Sequence, residues 1–317
     1  MVRRKVTHHS VLLGLAYDSN VTFRGGGVTG LFVSGRGDAK FTSQWLWDYA
    51  PIATPDEKLT LGGHVSHAWH SRIGEFNYQD YGAFVRYWRT LDEHWAFDLH
   101  YSYDMTYLGN QPFLSNHSLG PGLIYRWKPT GHRLEPRETK IDYRIDARDF
   151  LFDTAPTFDR DGFANSIGIA QTFRFRPTED ATTAWDVYAG YRFQTVTTEG
   201  SEFDRNTHGL YVKVAMPLKN TWLSANEPVL QLSASWEFDD YDNRSAFDTR
   251  GRRRDDVITT VGLVLSQLLK SDPERGELIL HLIVQWTDSD SNVRAAQNVS
   301  PFNYDKVVAG ARLEWRF

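Results

Sequence analysis

The sequence predicts an all-β fold, a transmembrane antiparallel up-and-down β-barrel of about fourteen strands. Three observations carry that reading. Strand-length segments with strict two-residue alternation recur along the whole chain. Aromatic residues reach 14% of 317 residues, with 11 Trp, 15 Tyr and 19 Phe. The last stretch, Lys306 to Phe317, alternates Val307, Ala309, Ala311, Leu313, Trp315 and Phe317 with Val308, Gly310, Arg312, Glu314 and Arg316. Side chains on a strand alternate faces, so that segment has one apolar face and one bearing three charges.

Composition bounds the alternatives. No run of 18 apolar residues occurs, so a membrane-spanning helix is not predicted. Mean hydropathy is −0.49, but a barrel presents only alternate residues to lipid and escapes that average. Zero Cys excludes disulfides, thiolate metal sites and cysteine nucleophiles. Net charge is −5 from 35 basic and 40 acidic residues, well mixed, so no nucleic-acid footprint is present. The opening Met1-Val-Arg-Arg-Lys is basic, yet the apolar stretch Val11 to Ala16 is too short for a secretory signal. The chain is therefore read as beginning after one. With no fixed-length repeat, residues 1–317 are read as a single barrel domain.

In order, the predicted strands begin with His9 to Asp18, followed by a glycine-rich piece (Gly25, Gly26, Gly27) that could hold a short hairpin through Leu31 and Val33. Phe41 to Tyr49 comes next, then a turn with Pro51, Pro55 and Asp56. Leu59 to Trp69 and Tyr78 to Arg89 lead to the tight turn Thr90 to His94. The clearest strand puts Trp95, Phe97, Leu99, Tyr101, Tyr103, Met105 and Tyr107 opposite Ala96, Asp98, His100, Ser102, Asp104 and Thr106. No 3.6-residue period sorts residues in that way. Leu119 to Trp127, Lys140 to Arg148, Ile167 to Phe175 and Trp185 to Gln194 continue the beat. Leu210 to Leu218, Leu230 to Phe238, Val257 to Leu265 and Leu278 to Trp286 complete the set before the terminal strand.

Polar connections after odd segments, such as Asp239 to Asp255 and Asp288 to Asn303, are long. Those after even segments are mostly shorter. Short periplasmic turns and longer extracellular loops would then place both termini in the periplasm. A soluble sandwich is the competing architecture. Strands near ten residues and a heavy one-faced aromatic load weigh against it.

The candidate chemistry is sparse. His64, His67 and His70 have metal-ligand residue types, but on a strand His67 points away from the other two. Asn116-His117-Ser118 has hydrolase residue types, yet neighbours in sequence cannot converge into a relay. Asp288-Ser-Asp290-Ser-Asn292 opens like a calcium loop but lacks the following Gly and the bidentate Glu. Asp239, Asp240 and Asp242 are a further acidic group. No cofactor, metal or catalytic residue is predicted, and the chain is read as not an enzyme. Arg250, Arg252, Arg253 and Arg254 form the one basic run. An external loop would bring them to the phosphates of lipopolysaccharide.

The predicted inner face is the informative surface. It carries Asp98, His100, Asp104, Arg126, Asp142, Arg144, Asp146, Arg148, Arg174, Asp186, Arg192, Lys213, Glu237, Arg312, Glu314 and Arg316. Trp88, Tyr188 and Tyr211 are further inward candidates. Mixed charges on such a wall pair across strands, whereas a strongly selective pore shows one dominant sign.

The terminal ARLEWRF resembles the carboxy-terminal signal of bacterial outer-membrane barrels, with Leu313, Trp315 and Phe317 at its apolar positions. That resemblance implies contact with the barrel-assembly machinery and outer-membrane lipid. GLAYDSNV (Gly14 to Val21), TDSDSNV (Thr287 to Val293) and YDKVVAGARLEWRF together resemble the barrel of the surface lipoprotein assembly modifiers. In that family the barrel follows a periplasmic tetratricopeptide-repeat domain, and no 34-residue helical period occurs here. The resemblance implies translocation or surface display of a protein or lipoprotein client. The alternative is a passive channel for small solutes or exopolysaccharide.

Overall fold

A computed structural model describes residues 6–21, 36–152, 156–177, 184–218, 228–294 and 302–317. It contains fourteen strands: β1 (Val6–Asp18), β2 (Asp38–Ala53), β3 (Glu57–His70), β4 (Tyr78–Thr90), β5 (Trp95–Leu108), β6 (Gln111–Arg126) and β7 (Leu134–Phe150), then β8 (Gly162–Phe175), β9 (Trp185–Thr198), β10 (Arg205–Pro217), β11 (Val229–Arg244), β12 (Arg253–Asp272), β13 (Gly276–Ser291) and β14 (Tyr304–Arg316). Each pairs antiparallel with its sequence neighbours, and β1 pairs with β14 to close the ring. Closure leaves no strand edge unpaired.

The two-residue alternation dictates which way each side chain points. Leu13 opposes Leu313 and Leu15 opposes Ala311, so both apolar sets share one face. The same register carries that face through Trp45, Val65, Tyr81 and Met105. On it, Leu15 is 68% exposed, Ile167 52% and Val284 48%. An apolar surface of this extent encircling a closed sheet is stable only against lipid. The barrel therefore spans a membrane, in the manner of outer-membrane barrels.

Aromatic contacts gather towards both ends of the strands, where the membrane interfaces fall. Trp315 meets Phe317 at 4.8 Å and Trp95 meets Tyr125 at 4.9 Å near the end carrying the termini. Towards the opposite end Phe41 stacks on Trp69 at 5.6 Å, and Tyr81 meets Tyr107 at 5.9 Å. The only buried apolar cluster among the described residues, Val21, Ile73 and Phe76, sits under connections rather than between layers.

Several strands run past their apolar alternation. β12 spans 20 residues and β6 begins at Gln111, because ladder bonds persist where polar residues face the lumen or the interface. β7 starts at Leu134 and absorbs Pro136 at a register shift, the position where a sheet tolerates a missing N–H. The connection 109–110 is a two-residue hairpin with Gly109 at φ 56° and Asn110 at φ 67°. Both central residues need positive φ in that turn, which Gly and Asn accept. It lies at the end opposite the termini, where the other connections are longer. The expected hairpin through Leu31 and Val33 lies outside the described residues.

Candidate functional site: the inner wall

Opposite the apolar face, the register gathers the charged residues. Asp98, His100 and Asp104 of β5 share a side with Arg126 of β6 and with Asp142, Arg144, Asp146 and Arg148 of β7. Asp186 and Arg192 of β9, Glu237 of β11 and Arg312, Glu314 and Arg316 of β14 lie on the same side. Arg174, Lys213, Trp88, Tyr188 and Tyr211 do too.

These groups are tied to one another rather than left single. Arg86 grips Asp98 through Nε at 2.7 Å and Nη2 at 2.9 Å, and Lys140 approaches the same carboxylate at 3.5 Å. Arg144 donates to Asp146 at 2.7 Å, and Arg148 comes within 3.6 Å of it. Arg192 reaches Asp142 at 3.1 Å. Glu314 accepts from Arg316 at 2.7 Å and from Ser10 at 2.8 Å, and lies 3.0 Å from His281 Nε2. Arg126 lies over the Trp88 ring at 5.1 Å, and Tyr188 stacks on Tyr211 at 5.4 Å.

Some pairs skip a strand because glycine occupies the one between. Lys140 of β7 crosses Gly122 of β6 to reach Asp98 of β5, and a Cβ at Gly122 would stand 3.2 Å from its Cε. Gly82 does the same for a set that sequence reasoning missed. His64 Nε2 lies 2.6 Å from Asp80 Oδ2 and 3.7 Å from Asp104 Oδ1. Their ligand atoms all lie within 4.8 Å of one another, making them the described residues able to hold a cation on the wall. The strand-local spacing of His64, His67 and His70 pointed elsewhere, and His67 faces outward to Tyr81 at 3.2 Å.

The other motif candidates do not assemble. Asn116 and Ser118 face inward while His117 faces out to Tyr101 at 2.9 Å. Asp288 and Asp290 share the outer side of β13, but Asn292 turns away to Asp255 at 2.7 Å and Asp290 accepts from Asn303 at 2.8 Å, so the three do not assemble a calcium loop. Asp239 accepts from Thr207 at 2.5 Å on the inner side, with Asp240 on the outer.

The connections opposite the termini bind their neighbours along the rim. Glu202 of the turn 199–204 accepts from Ser245 Oγ at 2.7 Å and from the Ala246 N–H at 2.8 Å. Thr249 N–H donates to the Arg294 carbonyl at 3.1 Å. Phe158, Phe203, Phe247 and Phe302 form a chain of ring contacts from 5.5 to 6.5 Å.

The basic run departs from its expected place. Only Arg250 and Arg252 belong to the connection 245–252, and Arg252 is held by Asp248 at 2.9 Å. Arg253 and Arg254 open β12. Arg254 binds Asp256 through its fork and lies 3.3 Å over Phe302 and 4.5 Å over Tyr241, on the inner side. Its guanidinium is thus committed within the barrel and turned from any lipopolysaccharide outside. The four arginines follow one another in sequence, but the strand start at Arg253 splits them.

No family model matches the chain, and no curated protein does. Solved structures similar to it include a "Bacterial polysaccharide outer membrane secretin", at TM-score 0.50 and 10% identity over 97% of this chain and 98% of that one. An anion-selective porin from Comamonas acidovorans aligns at TM-score 0.49 and 8% identity over the whole of both chains. OpdL of Pseudomonas aeruginosa aligns at 0.46 and 8% identity, covering 99% of this chain and 98% of that one. At such identity the likeness is one of fold.

Proposed function

We propose that the chain is an outer-membrane conduit whose cargo is polar and passes through the lumen, and that it carries no catalytic centre. The observation that carries this is an unbroken wall. β1 and β14 pair from Ser10↔Arg316 to Asp18↔Val308. His9 and Phe317 exchange backbone bonds at 2.8 and 2.9 Å beyond one end of that ladder, and Ser19 N–H donates to the Val307 carbonyl at 2.9 Å beyond the other. A closed seam with apolar residues outside and paired charges inside offers a route along the axis. The short connections 54–56, 91–94 and 273–275 at the end carrying the termini support a periplasmic placement of that end. Leu313, Trp315 and Phe317 line the outer face of β14, 43%, 47% and 49% exposed, where lipid and the barrel-assembly machinery would meet them.

Single-channel recording in planar bilayers tests the reading. A steady ohmic current from heat-modifiable, folded barrel supports it; a folded barrel that stays silent overturns passive conduction.

A second reading is favoured by position. Two of the three stretches that resemble the surface lipoprotein assembly modifiers, 14–21 and 304–317, meet at the seam, and the third, 287–293, pairs with β14 beside it. Asn20 Nδ2 donates to the Asp305 carbonyl at 3.2 Å, and Lys306 lies 3.6 Å from Asp18. A protein or lipoprotein client would then leave sideways between β1 and β14. Crosslinking the facing pair Leu15→Cys and Ala311→Cys in a chain with no native Cys separates the two. Locking the seam abolishes client display on the second reading and leaves conductance unchanged on the first.

A further inference from the structure

Three inner-wall arginines close carboxylates in one way, through the side-on pair of Nε and Nη2. Arg86 does so on Asp98 at 2.7 and 2.9 Å, and Arg316 on Glu314 at 2.7 and 2.8 Å. Arg254 does so on Asp256, with Nε on Oδ1 at 3.0 Å and Nη2 on Oδ2 at 2.5 Å. Arg160, which follows the short turn Pro156–Phe158 between β7 and β8, presents the same pair of N–H groups. It is only 6% exposed, and its Nε and Nη2 are both buried and meet no acceptor among the described residues.

The surroundings hold that guanidinium in place without neutralising it. It lies 3.8 Å over the Phe203 ring and 5.7 Å from Phe150. Its charged neighbours are Arg205 and Arg254, with Tyr241 beside them. Arg254 is committed to Asp256. Arg205 stands 3.8 Å from Asp239, beyond hydrogen-bond reach, and its Nε is likewise buried without an acceptor. Burial, aided by the two arginines, pulls the Arg160 pKa down to about 9. An uncompensated buried cation costs several kcal/mol even after relaxation, so a fold retains one where an anion completes it.

We propose that Arg160, with Arg205 beside it, is the anchor of a carboxylate-binding site at the mouth of the lumen opposite the termini. The planar fork fits a carboxylate in two parallel hydrogen bonds, as the three internal examples show, and the phenyl face beneath it restricts the approach to its edge. The chemical class is an acidic sugar or an organic acid, both presenting that group. The site deepens the conduit reading, on which it depends only for the route by which the anion arrives.

Calorimetric titration of the folded, detergent-solubilised chain tests the site apart from conduction. The probes are galacturonate trimer, succinate, inorganic phosphate and neutral galactose trimer. Acidic-trimer binding that R160Q weakens about tenfold or more, and R160K comparably because it keeps charge without the fork, supports the assignment. R253Q, at an exposed arginine, leaves that binding unchanged. Succinate binding as tightly as the trimer assigns the site to organic acids, and trimer-only binding assigns it to acidic sugars. R160Q removes a buried charge that meets no acceptor among the described residues, so it folds at least as well as wild type. No binding of either carboxylate, binding that R160Q leaves intact, neutral trimer binding equally well, or phosphate binding more tightly than both carboxylates would each overturn the proposal.

Discussion

Arg192 of β9 meets Asp142 of β7 at 3.1 Å, with an entire strand between them. The bond passes over Gly168, where a Cβ would stand 3.2 Å from the Asp142 carboxylate. Glycine on the intervening strand thus converts nearest-neighbour pairing into ties that reach two strands.

Asp98 is the most heavily used of these ties, shared by Arg86 and Lys140. Asp98→Asn leaves both cations without a counter-charge. Because Arg86 is about half exposed, water recovers part of the loss. A destabilisation of about 1–2 kcal/mol is expected by urea unfolding in lipid vesicles. No change would show that the pair is ornamental to the fold.

Val284 and Gln285 sit midway along β13 on opposite faces. Val284→Arg places charge in lipid and is expected to cost roughly 2–4 kcal/mol, while Gln285→Arg faces the lumen and costs little. The two midpoints, compared in one unfolding series, check which face lipid touches. Equal costs would remove the membrane assignment of the faces.

Gly82→Val directs a side chain into His64 and Asp104. The 2.6 Å contact of His64 with Asp80 is then lost, along with any cation the three residues hold. Zinc titration is expected to show binding to wild type and none to G82V, with the barrel still heat-modifiable. Equal binding to both proteins refutes that site.

Asp248 organises the connection 245–252 by accepting from the Arg250 and Arg252 N–H groups at 3.2 and 3.0 Å and from Arg252 Nε at 2.9 Å. Those donors, which outweigh the cost of burial, hold its pKa at about 2 against an ordinary 3.8. A carboxylate depressed on folding stabilises the folded state above its unfolded pKa. The contribution is therefore complete above about 3.8 and fades as pH falls towards 2. Protection of the Arg250 and Arg252 amides, taken relative to the intrinsic exchange rate at each pH, is expected to hold down to pH 4 and to fall below it. Asp248→Asn makes exchange fast at neutral pH; slow exchange in that variant contradicts the assignment.

The faces of the strands were legible because a two-residue period is local. Once Trp95 to Tyr107 is read as one face, Asp98, His100 and Asp104 must share the other. The partners of those residues were not legible. That Asp98 would receive Lys140 depends on register across two strand boundaries and on Gly122 between them. His64 found Asp80 and Asp104 for the same reason, not through the nearby histidines. Strand ends were underestimated at Gln111 and Asp272, where ladder bonds continue through residues with no apolar beat. The split of the basic run at Arg253 belongs to the same miss. Arg160 sits in a connection, outside any period, and only burial marks it.

The seam has one more implication, for the order of events during folding. Thirteen strand pairs join neighbours in sequence, but Ser10 and Glu314 are 304 positions apart. Closing so distant a contact is entropically the slowest step. Until β14 arrives, β1 presents thirteen residues of unpaired edge, competent to recruit any other strand. A partly finished sheet is thus an aggregation hazard, and something must occupy or shield that edge meanwhile. Closure then acts as a single late commitment rather than a gradual gain in order.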